Sequence, residues 1–146
     1  MATNANLYDR DFYAWTLEQA ALLREGRFAE ADVANIVEEI ETMGRSEKRE
    51  LVNRLVVLLK HLVKWEFQPK RRSKSWRLTI KDQRLELETL LADNPSLRPI
   101  LFEALAQAWP RAIIGAERET TLDAATFPSS CPWSPSMILD TDFLPT

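Results

Sequence analysis

The chain has 146 residues, of which 45 % are hydrophobic and 28 % are charged. This length and composition fit one globular domain, and they exclude a large two-domain enzyme and a disordered chain. The net charge of −3 and the pI near 5.3 argue against a generic nucleic-acid binder, because such domains usually have a pI above about 9.

The sequence carries no sign of export or of membrane insertion. No basic segment followed by an apolar stretch is visible, and the longest aliphatic run, residues 55–59, is far shorter than the ~20 residues that span a bilayer. The lone Cys131 cannot form an intramolecular disulfide and has no companion thiols for a zinc site. We therefore expect a cytoplasmic protein without a membrane partner.

Helices are predicted from the start of the folded chain, because there are only three glycines and many Ala, Leu, Glu and Arg residues. After a flexible start over residues 1–7, the first helix is expected to take Asp9 or Asp11 as its N-cap and to end near Arg24, before Gly26. Tyr8 or Leu7 would pack against its start. The side expected to face the core carries Phe12, Trp15, Gln19, Leu22 and Leu23.

A second helix is predicted over residues 31–43, because apolar residues recur there every three or four positions. Gly44 could end this helix, and Ser46 could then cap a third helix over residues 47–67. The stripe nevertheless keeps its phase through Gly44, so one helix over residues 31–67 and two helices broken at Gly44 are both open. The stripe expected to be buried consists of Val33, Ile36, Val37, Ile40 and Met43.

Pro69 is expected to end this region, because proline lacks an N–H donor and disfavours helix in the residue before it. Ser73 or Ser75 would cap the next helix, over residues 76–92. Residues 31–67 and 75–92 would then form a long central hairpin. The predicted inner face of the second arm carries Trp76, Ile80, Gln83, Leu87, Leu90 and Leu91.

The last long helix is predicted to start at Asn94–Pro95 or at Arg98–Pro99, to kink at Pro110 and to end near Thr121. The tail over residues 123–146 contains four of the eight prolines but many apolar residues, so we expect it to wrap the bundle, with Ser134 capping a helical turn. The predicted fold is a single all-α domain of about five helices, with a helical core over residues 8–122.

The main functional candidate is a basic corner, residues 64–84. Residues 60–84 hold nine Lys and Arg against two acids, whereas the rest of the chain holds ten bases against twenty acids. Interleaved cations and indoles could bind phosphates and stack bases, or they could pack within the molecule and contact an acidic protein surface. The candidate binding residues are Lys64, Trp65, Lys70, Arg71, Arg72, Lys74, Trp76, Arg77 and Arg84.

A polar seam is predicted beside the apolar stripe of residues 47–67, and it consists of Glu47, Glu50, Arg54 and His61. It could be a salt-bridge ladder that fixes the helix register. It could also be an acid–base cluster in which His61 and Glu50 act with Lys64 as weak catalytic candidates. With one histidine and one cysteine, the sequence predicts no metal site and no cofactor.

Between residues 8 and 145 the chain contains, in order, the segments YDRDFYAWTLEQAALLREGRF, NIVEEIETMGRSE, LLKHLVKWEFQP, RRSKSWRLTIKDQR and FPSSCPW with LDTDFLP. Together they resemble the bacterial family named domain of unknown function 29. This resemblance implies a small all-α protein, and no functional residue can be carried over from it.

The residues themselves favour a protein–protein interaction module that contacts another protein or a second copy through the basic corner. The alternative is binding of nucleic acid or another polyanion by the same corner. An enzyme built on His61, Glu50 and Lys64 is the third hypothesis.

Overall fold

The computed structural model describes residues 3–146, with side chains from residue 7 onward. Within them all regular structure is helical, which confirms the all-α prediction. No helix of the described chain is long and apolar enough to cross a membrane. The α-helices are Thr3–Arg10 (α1), Phe12–Arg24 (α2), Val33–Phe67 (α3), Lys74–Asp93 (α4), Leu101–Glu119 (α5) and Pro135–Leu139 (α6), with 3₁₀ segments at Phe28–Glu30, Pro69–Arg71, Pro95–Ile100 and Ala124–Thr126.

The chain divides into two compact units, Met1–Ser46 and Glu47–Thr146. The first contains α1, α2 and the beginning of α3, and the second contains the remainder of the chain. The expectation of a single domain therefore stays a prediction. Residues 1 and 2 of the predicted flexible start lie outside the described residues, and the chain is already helical from Thr3.

In the first unit, α2 begins and ends as predicted. The carboxylate of Asp11 accepts a hydrogen bond from the backbone N–H of Ala14 at 3.1 Å and so caps the helix. After Arg24 the chain turns at Gly26, whose φ of +74° is a conformation that favours glycine. The inner face was predicted only in part, since Phe12 and Leu23 are 47 % and 41 % exposed.

Asp32 joins α2 to the start of α3. Its carboxylate accepts hydrogen bonds from the indole N–H of Trp15 at 3.0 Å and from the Asn35 amide at 2.8 Å. Its backbone N–H donates to the side-chain oxygen of Gln19 at 2.7 Å. Burial alone would raise the pKa of Asp32, but the bonds from Asn35 and Trp15 lower it below 3.8. Trp15 and Gln19, two of the three buried residues of α2, therefore both bond to Asp32.

Helix α3 is continuous through Gly44, which decides between the two alternatives for residues 31–67. A glycine inside a helix destabilises it by only about 1 kcal/mol relative to alanine, so it does not force a break. The expected burial of the stripe before Gly44 is wrong. Ile36 is half-buried, whereas Val33, Val37, Ile40 and Met43 are 59 %, 47 %, 58 % and 61 % exposed.

The second unit contains the large core. One face of the same helix is buried from Leu51 onward, and Leu51, Leu55 and Leu58 are fully inaccessible to solvent. They share one apolar cluster with the inner faces of α4 and α5. On α5 the buried positions are mostly small, and such residues let helix backbones approach closely. They are Ala104, Ala108, Ala112, Gly115 and Ala116.

In the last third of the chain, the long helix passes Pro110 as predicted but starts later than predicted. Pro95 opens a 3₁₀ segment instead of an α-helix, and α5 begins only at Leu101, because two prolines four residues apart remove two backbone donors from this segment. Helix α5 continues through Pro110 to Glu119. In the tail, the Ser134 hydroxyl caps α6, and Phe127, Trp133 and Ile138 are buried in the core cluster. The wrapping tail is thereby confirmed.

Candidate functional site

The basic corner forms where α3 gives way to α4. Helix α3 ends at Phe67, two residues before Pro69, and a 3₁₀ turn follows. The Ser73 hydroxyl then accepts a hydrogen bond from the backbone N–H of Trp76 at 3.2 Å and starts α4. The predicted helix end and one of the two predicted caps are therefore confirmed.

Arg72 bonds to other residues of the corner. Its Nε donates a hydrogen bond to the backbone carbonyl of Trp65 at 2.7 Å, and its guanidinium lies 5.1 Å from the centre of the Trp65 ring. This carbonyl belongs to the last turn of α3, where carbonyl groups lack helical partners. Arg72 thus stabilises the end of α3 and covers one face of an indole that could otherwise stack on a base.

Lys64 is buried instead of reaching into solvent. Its side chain is only 7 % exposed, and Nζ lies 2.8 Å from Oε1 of Glu119, whose other oxygen accepts from Lys60 at 2.7 Å. Burial alone would raise the pKa of Glu119, but the hydrogen bonds from Lys60 and Lys64 outweigh it and lower the pKa from 4.5 to about 2. One carboxylate therefore bridges two lysines of α3.

Residues of α4 and α5 pack closely around the triad of Lys60, Lys64 and Glu119. The Lys64 ammonium lies 4.7 Å from the centre of the Trp76 ring, a cation–π distance. A Cβ added to Gly115 on α5 would lie 2.7 Å from Cδ of Lys60, so a larger residue there would force the stem of Lys60 to shift. Sequence reasoning missed Glu119 and Gly115, because neither lies near the corner in the chain.

Arg84 is also buried, at 4 % exposure. Its Nε donates a hydrogen bond to the backbone carbonyl of Ile138 at 2.8 Å and so ties the tail to α4. Burial lowers its pKa, and the charges of Asp140 and Asp142 offset this only in part.

Three candidate bases, Lys64, Arg72 and Arg84, thus have partners inside the molecule. The remaining bases of the candidate set are exposed, and both indoles of the corner are half-buried. Binding of nucleic acid through the corner stays a prediction, with fewer free cations than the sequence suggested. The exposed bases are Lys70, Arg71, Lys74 and Arg77.

Of the predicted polar seam, only Glu50 and Arg54 are in contact with each other. Nε of Arg54 donates a hydrogen bond to Glu50 at 2.7 Å, and its guanidinium also lies 3.7 Å from the carboxylate of Glu86 on α4. His61 lies apart, with Nδ1 donating to the carbonyl of Val57 at 2.8 Å, and burial lowers its pKa below 6.5. Glu47 is exposed.

The three weak catalytic candidates have three different partners. Glu50 pairs with Arg54, His61 bonds to its own helix, and Lys64 pairs with Glu119. No hydrogen bond or ion pair of the described residues joins two of the three. Cys131 is half-buried, and burial raises the pKa of its thiol, so that the thiol is protonated at neutral pH.

The exposed stripe of α3 is a second candidate surface. Its members Val33, Val37, Ile40 and Met43 are spaced four, three and three residues apart and therefore lie on one side of the helix. Gly44 falls on the same side, about 20° from Val33 at 100° per residue, and a Cβ added there would meet no atom within 4 Å.

Acidic residues border this stripe. At 100° per residue, Glu41 falls about 40° beyond Val37, and Glu39 falls about 40° beyond Met43 on the opposite edge. Glu39 accepts a hydrogen bond from the hydroxyl of Tyr8 at 2.6 Å, and this bond raises the pKa of Tyr8 to about 12. The unit as a whole, residues 1–46, has nine acids and four bases, a formal charge of −5.

Comparison with known proteins gives one match. The model of a family described as domain of unknown function DUF29 matches residues 7–144 of the chain. Neither a curated protein nor a solved structure matches it at a significant level.

Proposed function

The chain belongs to the DUF29 family, and we propose that it is a protein–protein interaction module whose docking surface is the exposed apolar stripe of α3, residues 33–43. The observation that carries this proposal is the exposure of four neighbouring stripe residues, each between 47 % and 61 %. Single exposed apolar residues are ordinary, whereas contiguous ones mark binding surfaces.

The partner is an amphipathic helix of another protein. An apolar row with a three-to-four residue spacing matches a second helix whose anchors recur at the same interval. Gly44 supports this kind of partner, because the open space beside its missing side chain lets another backbone approach.

Charge decides between a second copy and a different protein. Two identical stripes facing each other would bring the Glu39 and Glu41 borders of both copies together, and like charges across an interface are unfavourable. A partner helix with Lys or Arg beside its apolar row would pair with these borders. We therefore assign the surface to a basic amphipathic helix of another protein.

The basic corner serves this role less well than the stripe. Lys64, Arg72 and Arg84 already bind Glu119, the Trp65 carbonyl and the Ile138 carbonyl, so a partner would have to compete with these bonds. The exposed bases of the corner remain available to a partner, but exposed charges at the edge of an interface usually change association rates more than affinity.

The test places a photo-crosslinking amino acid at position 40 of the full chain in its native cells. The matched control carries the same group at position 114, since Ile114 is a similarly exposed apolar residue on α5. We expect cross-links from position 40 to one peptide that has apolar residues at helical spacing and Lys or Arg beside them. Val37→Ser with Met43→Ser should reduce this cross-link about tenfold or more, because both changes remove buried contact area.

Two results would overturn the proposal. If position 40 gives no more cross-links than position 114, the stripe is not a docking surface. If it cross-links to this chain's own residues, and the sedimenting mass rises with concentration, then the occupant is a second copy and the charge argument is wrong.

A further inference from the structure

A cavity of about 380 Å³ lies within the second unit, between α4 and the tail that follows α6. Its volume falls in the range of small-molecule sites, about 300–1,000 Å³. Ile80 and Leu85 of α4 and Leu144 of the tail form apolar walls. The cavity thus has room and apolar surface for the body of a small organic molecule.

Three cations line the same cavity. Arg77, Lys81 and Arg84 follow one another at intervals of four and three residues on α4, so they lie on one side of the helix. Asp142 is the one carboxylate among the described lining residues. The lining therefore has a formal charge of +2, inside a chain whose net charge is −3.

Arg84 is incompletely satisfied where it stands. Its Nε is bonded to the Ile138 carbonyl, but Nη2 is buried and has no hydrogen-bond partner among residues 7–146. A buried guanidinium with an unpaired N–H group is unfavourable unless an acceptor completes it. Arg84 lines the cavity, so an anion that enters it would lie beside this incompletely paired side chain.

We propose that this cavity binds a small organic anion, with a carboxylate or phosphate head held by Arg84, Arg77 and Lys81 and an apolar body packed against Ile80, Leu85 and Leu144. Arg84 sets the orientation, because its position is fixed by the bond to the tail. Arg77 and Lys81 are exposed and attract the head electrostatically.

The experiment titrates the full chain with four probes and follows heat of binding and amide chemical shifts. Benzoate and phenyl phosphate carry both head and body and separate the two head groups. Inorganic phosphate carries only a head, and benzyl alcohol only a body. We expect saturable one-to-one binding of benzoate or phenyl phosphate, at least about tenfold tighter than of either partial probe, with shifts on α4 and residues 141–144.

Variants locate the site. Arg77→Gln with Lys81→Gln should weaken binding about fivefold or more, because exposed charges contribute modestly. Leu85→Glu should abolish it, because it places a carboxylate at the cavity wall, and Leu85 is 52 % exposed, so the core is untouched. Arg98→Gln removes an exposed charge outside the cavity and should bind like the unmodified chain.

Arg84→Lys tests the fork directly and should bind at least about tenfold more weakly, provided that its helical circular dichroism is unchanged. If this variant fails to fold, Leu85→Glu carries the same decision. Absence of saturable binding of every probe at millimolar concentration overturns the proposal. Equal binding by the unmodified chain and Leu85→Glu overturns it as well.

Discussion

The two ends of α3 carry the same apolar periodicity and have opposite surroundings. Before Gly44 the stripe residue Ile40 is 58 % exposed, whereas after it Leu51, Leu55 and Leu58 are completely buried. The difference extends to the two units. Nine of the fourteen exposed large hydrophobic side chains among the described residues belong to residues 7–46, and only two hydrophobic residues are buried there.

This contrast teaches that periodicity identifies an apolar face but does not say what covers it. In the second unit, α4, α5 and the tail bring a shared cluster of apolar residues against α3. In the first unit, α2 buries Trp15 and Leu22 and leaves the stripe of α3 to solvent. Two of the buried residues of the first unit, Trp15 and Gln19, make hydrogen bonds to Asp32.

The largest expected effect is a difference in unfolding free energy between substitutions at the two ends of α3. Leu58→Ala should lower the free energy of unfolding by about 2–5 kcal/mol, because it leaves a cavity in a fully packed core. Ile40→Ala should change it by less than about 0.5 kcal/mol, because the side chain is exposed and alanine is the better helix former. Urea unfolding of both variants measures the difference. Equal losses would mean that the two ends are equally buried.

A smaller effect distinguishes adjacent arginines of the corner. Arg72→Ala should lower the free energy of unfolding by about 1–2 kcal/mol, because it removes the hydrogen bond to the Trp65 carbonyl and the contact with the ring. Arg71→Ala should change it by less than about 0.5 kcal/mol, because Arg71 is exposed. Urea unfolding again provides the measurement.

The same pair tests the nucleic-acid hypothesis. A DNA or RNA oligonucleotide that binds the unmodified chain at about 50 mM salt, and loses affinity with Arg71→Ala, would support a surface role for the corner. In the stability measurement, similar losses for Arg71→Ala and Arg72→Ala would contradict the prediction that only Arg72 is bonded within the corner.

The smallest expected effect is a dependence of stability on pH in the second unit, because solvent screens the partly exposed carboxylate of Glu119. The pKa of Glu119 is about 2 in the folded chain and near 4.5 when unfolded, so between these values the unfolded chain binds more protons. The stabilisation from the lysine bridge is therefore complete above pH 4.5 and is lost as the pH falls towards 2. Glu119→Gln should flatten this part of the curve in urea unfolding measured at several pH values. An unchanged slope would show that the bridge does not persist in solution.

Local signals in the sequence were sufficient for most helix boundaries. Asp11, Ser73 and Ser134 cap the helices that were predicted to follow them, and Gly26 and Pro69 lie just beyond helix ends. Capping and backbone restriction depend on a few neighbouring residues, so the local sequence is enough to predict these helix boundaries. The start of α5 was misplaced because both prolines fit a 3₁₀ turn as well as a first helical turn.

The candidate sites were less predictable, because they depend on partners that are distant in the chain. Glu119 lies 55 residues after Lys64, and Ile138 lies 54 residues after Arg84, yet these partners place both cations inside the molecule. No spacing rule reaches that far, so the basic corner looked like one continuous cationic surface.

The sequence by itself determined that this chain is helical, where most of its helices begin and end, and which face of each is apolar, since helix propensity, caps and periodicity are local properties. Only the tertiary structure decided that one stretch of the α3 stripe is core and the other is surface, and that Lys64 and Arg84 point inward. Burial depends on which other elements meet a face, and that depends on the packing of the whole unit.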